Sequence, residues 1–175
     1  MKIKETIYHG KVSNIDEIDL TAGRGHKDFG RGFYLAYNKV QAIGIMNKKY
    51  RKAIKRGNRN ISKNLYAFDT IQSELDKCRV KVFNKPDIEW LVFVLNCRYS
   101  DGTPHNYDVV IGPTADDDTS YCINMYLEGV YGDIKTIGAK QTLLNNLEVN
   151  NLGTQVFIGT RRGLSILCNK RNINK

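Results

Sequence analysis

The sequence predicts a protein of the α+β class, in which strands and helices follow one another without regular alternation. Short segments rich in β-branched and aromatic residues occur near both ends and in the middle of the chain, and segments of helical period lie between them. A doubly wound sheet would require strands and helices to alternate strictly. The chain has 175 residues, three prolines and no low-complexity linker. We therefore predict a single domain that covers residues 1–175.

The first strands of the chain are predicted on either side of a glycine-rich loop. Residues 6–9 are β-branched or aromatic and are followed by Gly10, which indicates a strand that ends in a turn. Residues 21–32 hold four glycines, so we expect an irregular loop there. Residues 32–36 then predict the second strand.

A helix is predicted over residues 38–55, where Asn38 can act as the N-cap and Gly57 can end the helix. The apolar residues expected on its buried side are Val40, Ile43, Tyr50, Ala53 and Ile54. The basic residues on its outer face are Lys48, Lys49, Arg51, Lys52, Lys55 and Arg56. Such a face is typical of a solvated helix, and it is also suited to nucleic acid or an acidic partner.

The rest of the chain predicts four more strands and four more helices. The predicted strands cover residues 65–68, 80–83, 107–111 and 155–158. The predicted helices cover a segment whose first turn contains Pro86, a segment from about 119 to 127, and residues 135–145 and 161–168. The apolar residues expected on the buried side of the Pro86 helix are Ile88, Trp90, Leu91, Val92 and Leu95.

Composition and motifs exclude several classes of protein. No apolar run reaches the ~18 residues of a membrane helix, and the first residues form no apolar signal segment. The four cysteines form no CxxC pair, so we expect no metal site and reduced thiols in the cytoplasm. The sequence contains no GxSxG, HExxH or Walker-type phosphate loop. The net charge of +9, from 27 basic and 18 acidic residues, favours polyanionic partners.

Three short fragments stand out together. Tyr8-His9-Gly10 lies at the end of the first predicted strand, residues 29–36 read Phe-Gly-Arg-Gly-Phe-Tyr-Leu-Ala, and Gln155-Val156-Phe157-Ile158 forms a late strand. This set resembles the ADP-ribosyltransferase superfamily in its His-Tyr-Glu branch, the diphtheria-toxin and poly(ADP-ribose) polymerase type. In that branch an HG turn, an FGKGxYxA segment and a Glu-led late strand line one NAD cleft. The wider chain, including residues 108–113, looks like a bacterial family of small ADP-ribosyltransferase-like domains.

The resemblance implies a fold, an activity and a set of site residues. The implied fold is a pair of split antiparallel β-sheets with flanking helices. The implied activity is mono-ADP-ribosyl transfer, in which NAD is the substrate and is cleaved with oxocarbenium character, much as in glycoside hydrolysis. The implied catalytic residues are His9, Tyr34 and Gln155. The residues implied to bind NAD are His9, Gly10, Arg31, Gly32 and Tyr34.

Each implied residue has a separate task in the resemblance. Gly10 would offer its backbone N–H and C=O to the nicotinamide carboxamide, and His9 would bond the ribose on the adenosine side. Tyr34 would stack on the nicotinamide ring, and Arg31 would meet the pyrophosphate. The acceptor of ADP-ribose would be a protein or a nucleic acid. The resemblance also implies a bacterial toxin or effector, and for a toxin a neutralising antitoxin protein as partner.

The sequence departs from the pattern of the branch in two respects. Gln155 stands where the branch has Glu, and an amide cannot supply the negative charge that stabilises an oxocarbenium. The candidates for that charge are Asp116, Asp117 and Asp118, which equally suit the start of a helix. Ile43 and Ile45 stand where relatives place a second aromatic residue. The candidates to replace that aromatic ring are Tyr37 and Tyr50.

These departures favour an alternative, a non-catalytic module that binds NAD, another nucleotide or a partner on the same scaffold. A third hypothesis is an RNA 2′-phosphotransferase, which uses a related scaffold and would need several convergent arginines. Arg24 and Arg31 are the candidates for that role.

Overall fold

The computed structural model describes residues 2–22, 25–100, 103–114, 117–147 and 153–174, and for residues 117–120 it describes the backbone alone. The strands in chain order are β1 Thr6–Lys11, β2 Phe33–Ala36, β3 Asn64–Thr70, β4 Val80–Val82, β5 Val109–Pro113, β6 Thr154–Ile158 and β7 Leu167–Asn172. The helices are α1 Lys39–Lys55, α2 Gln72–Leu75, α3 Ile88–Tyr99, α4 Asp117–Leu127, α5 Ile137–Asn146 and α6 Arg161–Leu164. Within the described ranges, none of these helices combines the length and apolarity needed to cross a membrane.

The strands form one seven-stranded sheet in the order β4-β5-β6-β2-β1-β3-β7. Neighbouring strands are antiparallel except for β4 and β5, which are parallel. This arrangement, with helices inserted irregularly between the strands, confirms the predicted α+β class.

The two halves of the sheet meet at a narrow joint. β1 and β2 are paired only through Tyr8 and Ala36, whereas β1 pairs with β3 through six residue pairs and β2 with β6 through four. The sheet is therefore continuous in its hydrogen bonding, but β1 and β2 diverge beyond that one pair. The gap between them is the entrance to the site described below.

The core on the β5–β6 side of the sheet contains α3 and α5. Trp90, Leu143 and Phe157 are all fully buried in one cluster, and Trp90 Nε1–H donates to the carbonyl oxygen of Pro113 at 3.2 Å. This confirms the buried role predicted for Trp90. Val92 is exposed instead, because the turn of the helix places it away from the cluster. Pro86 was predicted in the first turn of this helix, but it precedes the helix. Asp87 is the N-cap of α3, and its side chain accepts a hydrogen bond from Trp90 N.

Helix α1 begins and ends as predicted but presents a different face to the sheet. Asn38 Oδ1 accepts a hydrogen bond from Val40 N at 2.8 Å, which is the predicted N-cap. Ala42 and Met46 are buried, while Val40 is 72% exposed and Ile54 is 44% exposed. The expected buried face was therefore wrong for Val40 and Ile54, whereas Ile43 packs against the cluster that contains Ala42 and Met46, as predicted. Ala42 lies at the centre of the contact because α1 packs on the glycine of β1, where a small residue is needed.

The end of the chain differs most from the prediction. The helix predicted over 161–168 ends at Leu164, and Leu167–Asn172 forms β7 at the edge of the sheet. β7 pairs with β3, and these long-range hydrogen bonds override the weak local preference for a helix. At the other end, β1 does not stop at Gly10, because Gly10 pairs with Leu65 of β3.

Replacing Gly10 with alanine is expected to destabilise the protein. A Cβ at this position would overlap the carbonyl oxygen of Ala42 and lie 2.7 Å from Met46 Cβ, so α1 would have to move away from β1. We expect a loss of about 1–3 kcal/mol in the free energy of unfolding, measured by urea denaturation. Gly44→Ala is the matched control, because it lies on the same helix with no atom near the added Cβ. Equal stability of the two variants would contradict this packing.

Candidate functional site

A cavity of about 290 Å³ opens where β1 and β2 diverge. It is lined by parts of β1, β2, α1 and β6, together with the loop between β1 and β2. The residues predicted for the site that line it are His9, Gly10, Gly32, Tyr34 and Gln155. The structure thus brings together three fragments that lie far apart in the sequence.

His9 is held as a neutral imidazole with a defined tautomer. Its Nδ1 lies 2.6 Å from the carbonyl oxygen of Tyr34, and a carbonyl can only accept, so Nδ1 carries the hydrogen. The ring stacks on Phe33 with centroids 4.5 Å apart. Burial, together with the positive charge of Lys49, lowers the pKa of His9 to about 3. Nε2 is therefore a hydrogen-bond acceptor at neutral pH.

Tyr34 offers the face of its ring, while its hydroxyl is occupied. The hydroxyl donates to the carbonyl oxygen of Gly30 at 2.7 Å and accepts from the backbone N–H of Phe29 at 3.0 Å. Burial, followed by the negative charge of Asp28, raises the pKa of the phenol well above its usual value. Lys27 Nζ lies 4.9 Å from the ring centroid, within cation–π range.

The amide of Gln155 has a fixed orientation. Its Nε2 donates to Asp28 Oδ2 at 2.8 Å and to the carbonyl oxygen of Pro113 at 3.3 Å. Its Oε1 makes no hydrogen bond to any residue in the described ranges. Because the residue is 7% exposed and lines the cavity, Oε1 is the atom that it can offer to a ligand.

Asp28 is the functional candidate that sequence reasoning missed. Its carboxylate is buried, and Oδ1 receives hydrogen bonds from Arg98 Nε at 3.0 Å and Arg98 Nη2 at 2.6 Å. Arg98, Asp28 and Gln155 thus form a continuous chain of polar contacts behind the cavity. The sequence offered one indication of its role, since Asp28 immediately precedes the site segment 29–36. Asp116 and the side chains of Asp117 and Asp118, the predicted sources of this charge, lie outside the described residues.

Three lysines give the cavity a positive potential. Lys11, Lys27 and Lys49 line it, and Lys49 Nζ donates to the carbonyl oxygen of Gly10 at 3.2 Å. Desolvation, together with the charges of Lys27 and Lys11, lowers the pKa of Lys49 to about 8. Two carboxylates, those of Glu17 and Asp19, also line the cavity. The remaining excess of positive charge suits an anionic ligand.

Several other predicted residues lie elsewhere. Arg31 is exposed and does not line the cavity, and its backbone N–H donates to Thr103 Oγ1 at 3.0 Å. Its assignment to the pyrophosphate stays a prediction. Ile45 lines the cavity, and so does an aromatic residue not predicted for it, Tyr8. The residues that do not line it are Ile43, Tyr37 and Tyr50. Arg24 lies outside the described residues.

A protein-family model described as "Protein of unknown function (DUF3990)" matches residues 5–168. This range runs from the residue before β1 to the second residue of β7 and contains every predicted site residue. Neither a curated protein nor a solved structure matches the chain.

Proposed function

The chain belongs to the family described as "Protein of unknown function (DUF3990)", and from the residues that line its cavity we propose that it is a mono-ADP-ribosyltransferase. It would cleave NAD and transfer ADP-ribose to a macromolecule. One observation carries the proposal: His9, Tyr34 and Gln155, from three distant parts of the sequence, line a single cavity. The divergence of β1 and β2 supports the split-sheet arrangement that the resemblance implies.

The nicotinamide end of NAD fits the groups around Tyr34. The ring face of Tyr34 suits an aromatic heterocycle, a contact worth ~0.5–1.5 kcal/mol beyond burial. The ammonium of Lys27 now occupies the vicinity of this ring. The positively charged pyridinium ring of NAD would make the same kind of cation–π contact in its place. The carboxamide would bond the backbone of Gly10, whose carbonyl oxygen now accepts from Lys49.

The rest of the dinucleotide fits the acceptors and charges of the same cavity. His9 Nε2 is a neutral acceptor for a ribose hydroxyl, consistent with its tautomer. The pyrophosphate would lie near the three lysines that line the cavity, Lys11, Lys27 and Lys49, which adds them to the predicted Arg31. Ammonium groups bind phosphate as point charges, so this assignment requires no bidentate geometry.

The reaction requires the glycosidic bond between nicotinamide and ribose to break first. Its electron pair leaves with nicotinamide, which becomes neutral, and the ribose becomes an oxocarbenium. A nucleophile of the acceptor then bonds to the anomeric carbon and loses its proton. Gln155 Oε1 would hold a hydroxyl of the reacting ribose, and Asp28 would fix that amide from behind. A toxin or effector role in a bacterial cytoplasm, with an antitoxin protein as partner, belongs to the proposal on the resemblance alone.

A non-catalytic module that binds NAD, another nucleotide or a partner is the second candidate. It is favoured by Gln155, which is neutral, and by Ile45, which leaves an aliphatic wall where relatives have an aromatic ring. Isothermal calorimetry with NAD, combined with a nicotinamide-release assay, separates the two. Binding without release supports the module, and release supports the transferase. The absence of both results would overturn the transferase and the NAD-binding form of the module.

Replacing Gln155 with alanine is expected to slow nicotinamide release at least about tenfold, which corresponds to ~1.4 kcal/mol of lost transition-state stabilisation. The measurement uses NAD labelled in the adenosine half, incubated with the protein and a cell lysate, and it records both release and label transfer. Gln141→Ala is the control, because Gln141 is exposed on α5 and outside the cavity. An unchanged rate in Gln155→Ala would remove Gln155 from the mechanism.

A further inference from the structure

The net charge of the chain is concentrated in one segment. Residues 39–68 contain nine basic residues and no acidic residue, and the rest of the chain contains 18 of each. All nine are exposed: Lys39, Lys48, Lys49, Arg51, Lys52, Lys55, Arg56, Arg59 and Lys63. We call these nine residues the basic surface. The entire formal charge of +9 therefore belongs to α1 and the loop that follows it.

The basic surface is continuous with the cavity. On α1, residues spaced by four and three positions form a single ridge, made of Gln41, Ile45, Lys48, Lys52 and Lys55. Gln41 and Ile45 line the cavity, and the three lysines continue the ridge away from it. Fourteen residues of helix span ~21 Å. A ligand bound along this ridge would have one end at the cavity.

Gln41 marks where the ridge enters the cavity. Its Oε1 is buried and has no hydrogen-bond partner among the residues that the structure describes, and its amide packs against Gly153. A buried acceptor without a partner is costly unless a ligand or water satisfies it. The ridge thus ends at an acceptor that a ligand reaching into the cavity would satisfy.

We propose that a nucleic acid docks on the basic surface and that one of its nucleotides is the acceptor of ADP-ribose. The assignment of the acceptor rests on the proposed function, whereas the docking does not. The three lysines of the ridge span ~10 Å of helix, and a strand of duplex DNA carries about three phosphates over that distance, so this row of cations matches its backbone. Protein interfaces are depleted in lysine, which dominates this surface, and this favours nucleic acid over an acidic protein.

The docking is tested by fluorescence anisotropy without NAD, with labelled 20-nucleotide DNA and RNA strands as probes. We expect binding in which the logarithm of the association constant falls linearly with the logarithm of the salt concentration. The triple variant Arg51→Glu, Lys52→Glu, Lys55→Glu is expected to weaken it roughly 100-fold and to reduce the slope by about 2, since each single-strand phosphate contact contributes about 0.7. These three residues do not line the cavity.

The control carries the same change in net charge at distant exposed positions: Lys85→Glu, Lys135→Glu and Arg161→Glu. We expect it to weaken binding less than about threefold, since these residues lie before α3, before α5 and at the start of α6 rather than on α1, and charges in salt are screened beyond about 10 Å. Equal losses in the two triple variants, tighter binding of poly-glutamate than of either strand, or no binding of either strand would each overturn the docking. Far-ultraviolet circular dichroism and the thermal midpoint establish that both variants are folded.

The acceptor is tested separately. Without a strand, water takes the place of the acceptor, and the α1 triple variant is expected to release nicotinamide and free ADP-ribose at the wild-type rate. With labelled NAD and either strand, the same variant is expected to lose transfer to the strand. If the protein binds the strands but transfers ADP-ribose only to protein, the acceptor assignment is overturned and the transferase proposal stands. Absence of any nicotinamide release would overturn the transferase and the acceptor together, and the docking would stand on the anisotropy result.

Discussion

Replacing Asp28 with alanine is expected to lower the free energy of unfolding by about 3–5 kcal/mol and to remove the shorter of the two hydrogen bonds that hold the amide of Gln155. The Asp28 and Arg98 side chains are only 10% and 14% exposed, and Arg98 bonds Asp28 Oδ1 through two nitrogens. Without the carboxylate, a guanidinium that is only 14% exposed loses the charge of Asp28 and the two hydrogen bonds to it. Urea denaturation measures the loss. Glu74→Ala is the control, because it removes a solvent-accessible ion pair to Lys77 and is expected to have a much smaller effect.

The same contact determines what a glutamate at position 155 would do. In Gln155→Glu, a second carboxylate would face Asp28 Oδ2 at the place where Nε2 now donates over 2.8 Å. Two such carboxylates raise the pKa of one of them. A carboxyl group whose pKa is raised in the folded state favours folding while it is protonated. Its contribution to stability is full at about pH 4 and is lost as the pH rises through the folded-state pKa. The variant should therefore be less stable at pH 8 than at pH 5, relative to the wild type.

The compensating change is Asp28→Asn. In the double variant, the new amide can donate to the carboxylate introduced at position 155 and accept from Arg98, so these two contacts are kept and the charge moves to the other partner. The hydrogen bond from position 155 to the carbonyl oxygen of Pro113 is lost. We expect the double variant to recover most of the stability that Gln155→Glu loses. If Gln155→Glu is as stable as the wild type at pH 8, or if the double variant is less stable than either single one, the role assigned to Asp28 is wrong.

Replacing His9 with asparagine is expected to reduce nicotinamide release about 100-fold or more, because Nε2 is the neutral acceptor proposed for a ribose hydroxyl. His9 would position the substrate rather than contact the developing charge, and misplacing a substrate by about 1 Å can cost about 10²-fold in rate. The control is His26→Asn, which is exposed, lies outside the cavity and has a φ of 61° that asparagine tolerates. Equal rates in the wild type and His9→Asn would exclude His9 from the reaction.

The pH dependence of stability gives His9 a second, independent readout. Its pKa is lowered to about 3 in the folded chain, against about 6.5 when unfolded. The unfolded chain therefore binds the additional proton first, and the stability that depends on a neutral His9 is full above about pH 6.5 and is lost as the pH falls towards 3. The difference in unfolding free energy between wild type and His9→Asn should shrink over this interval. A difference that is independent of pH would contradict the burial of the imidazole.

Local signals predicted much of the fold. Asn38 and the pattern that follows it were enough for α1, because a cap and a helical period act within a few residues. The strands β2 and β6 were found because their β-branched and aromatic residues are buried on a sheet. Local pattern failed for β7, which exists through hydrogen bonds to β3 about 100 residues earlier in the chain.

The sequence by itself determined the residue types of the site and the concentration of charge on α1, since both are properties of short segments. Only the tertiary structure decided that Asp28 holds Gln155, that Lys49 meets Gly10 and that Arg31 lies outside the cavity. The physical reason is that these contacts join residues distant in sequence, and their geometry depends on how the strands pair. A pattern of residue types specifies which atoms are present, and strand pairing specifies which of them meet.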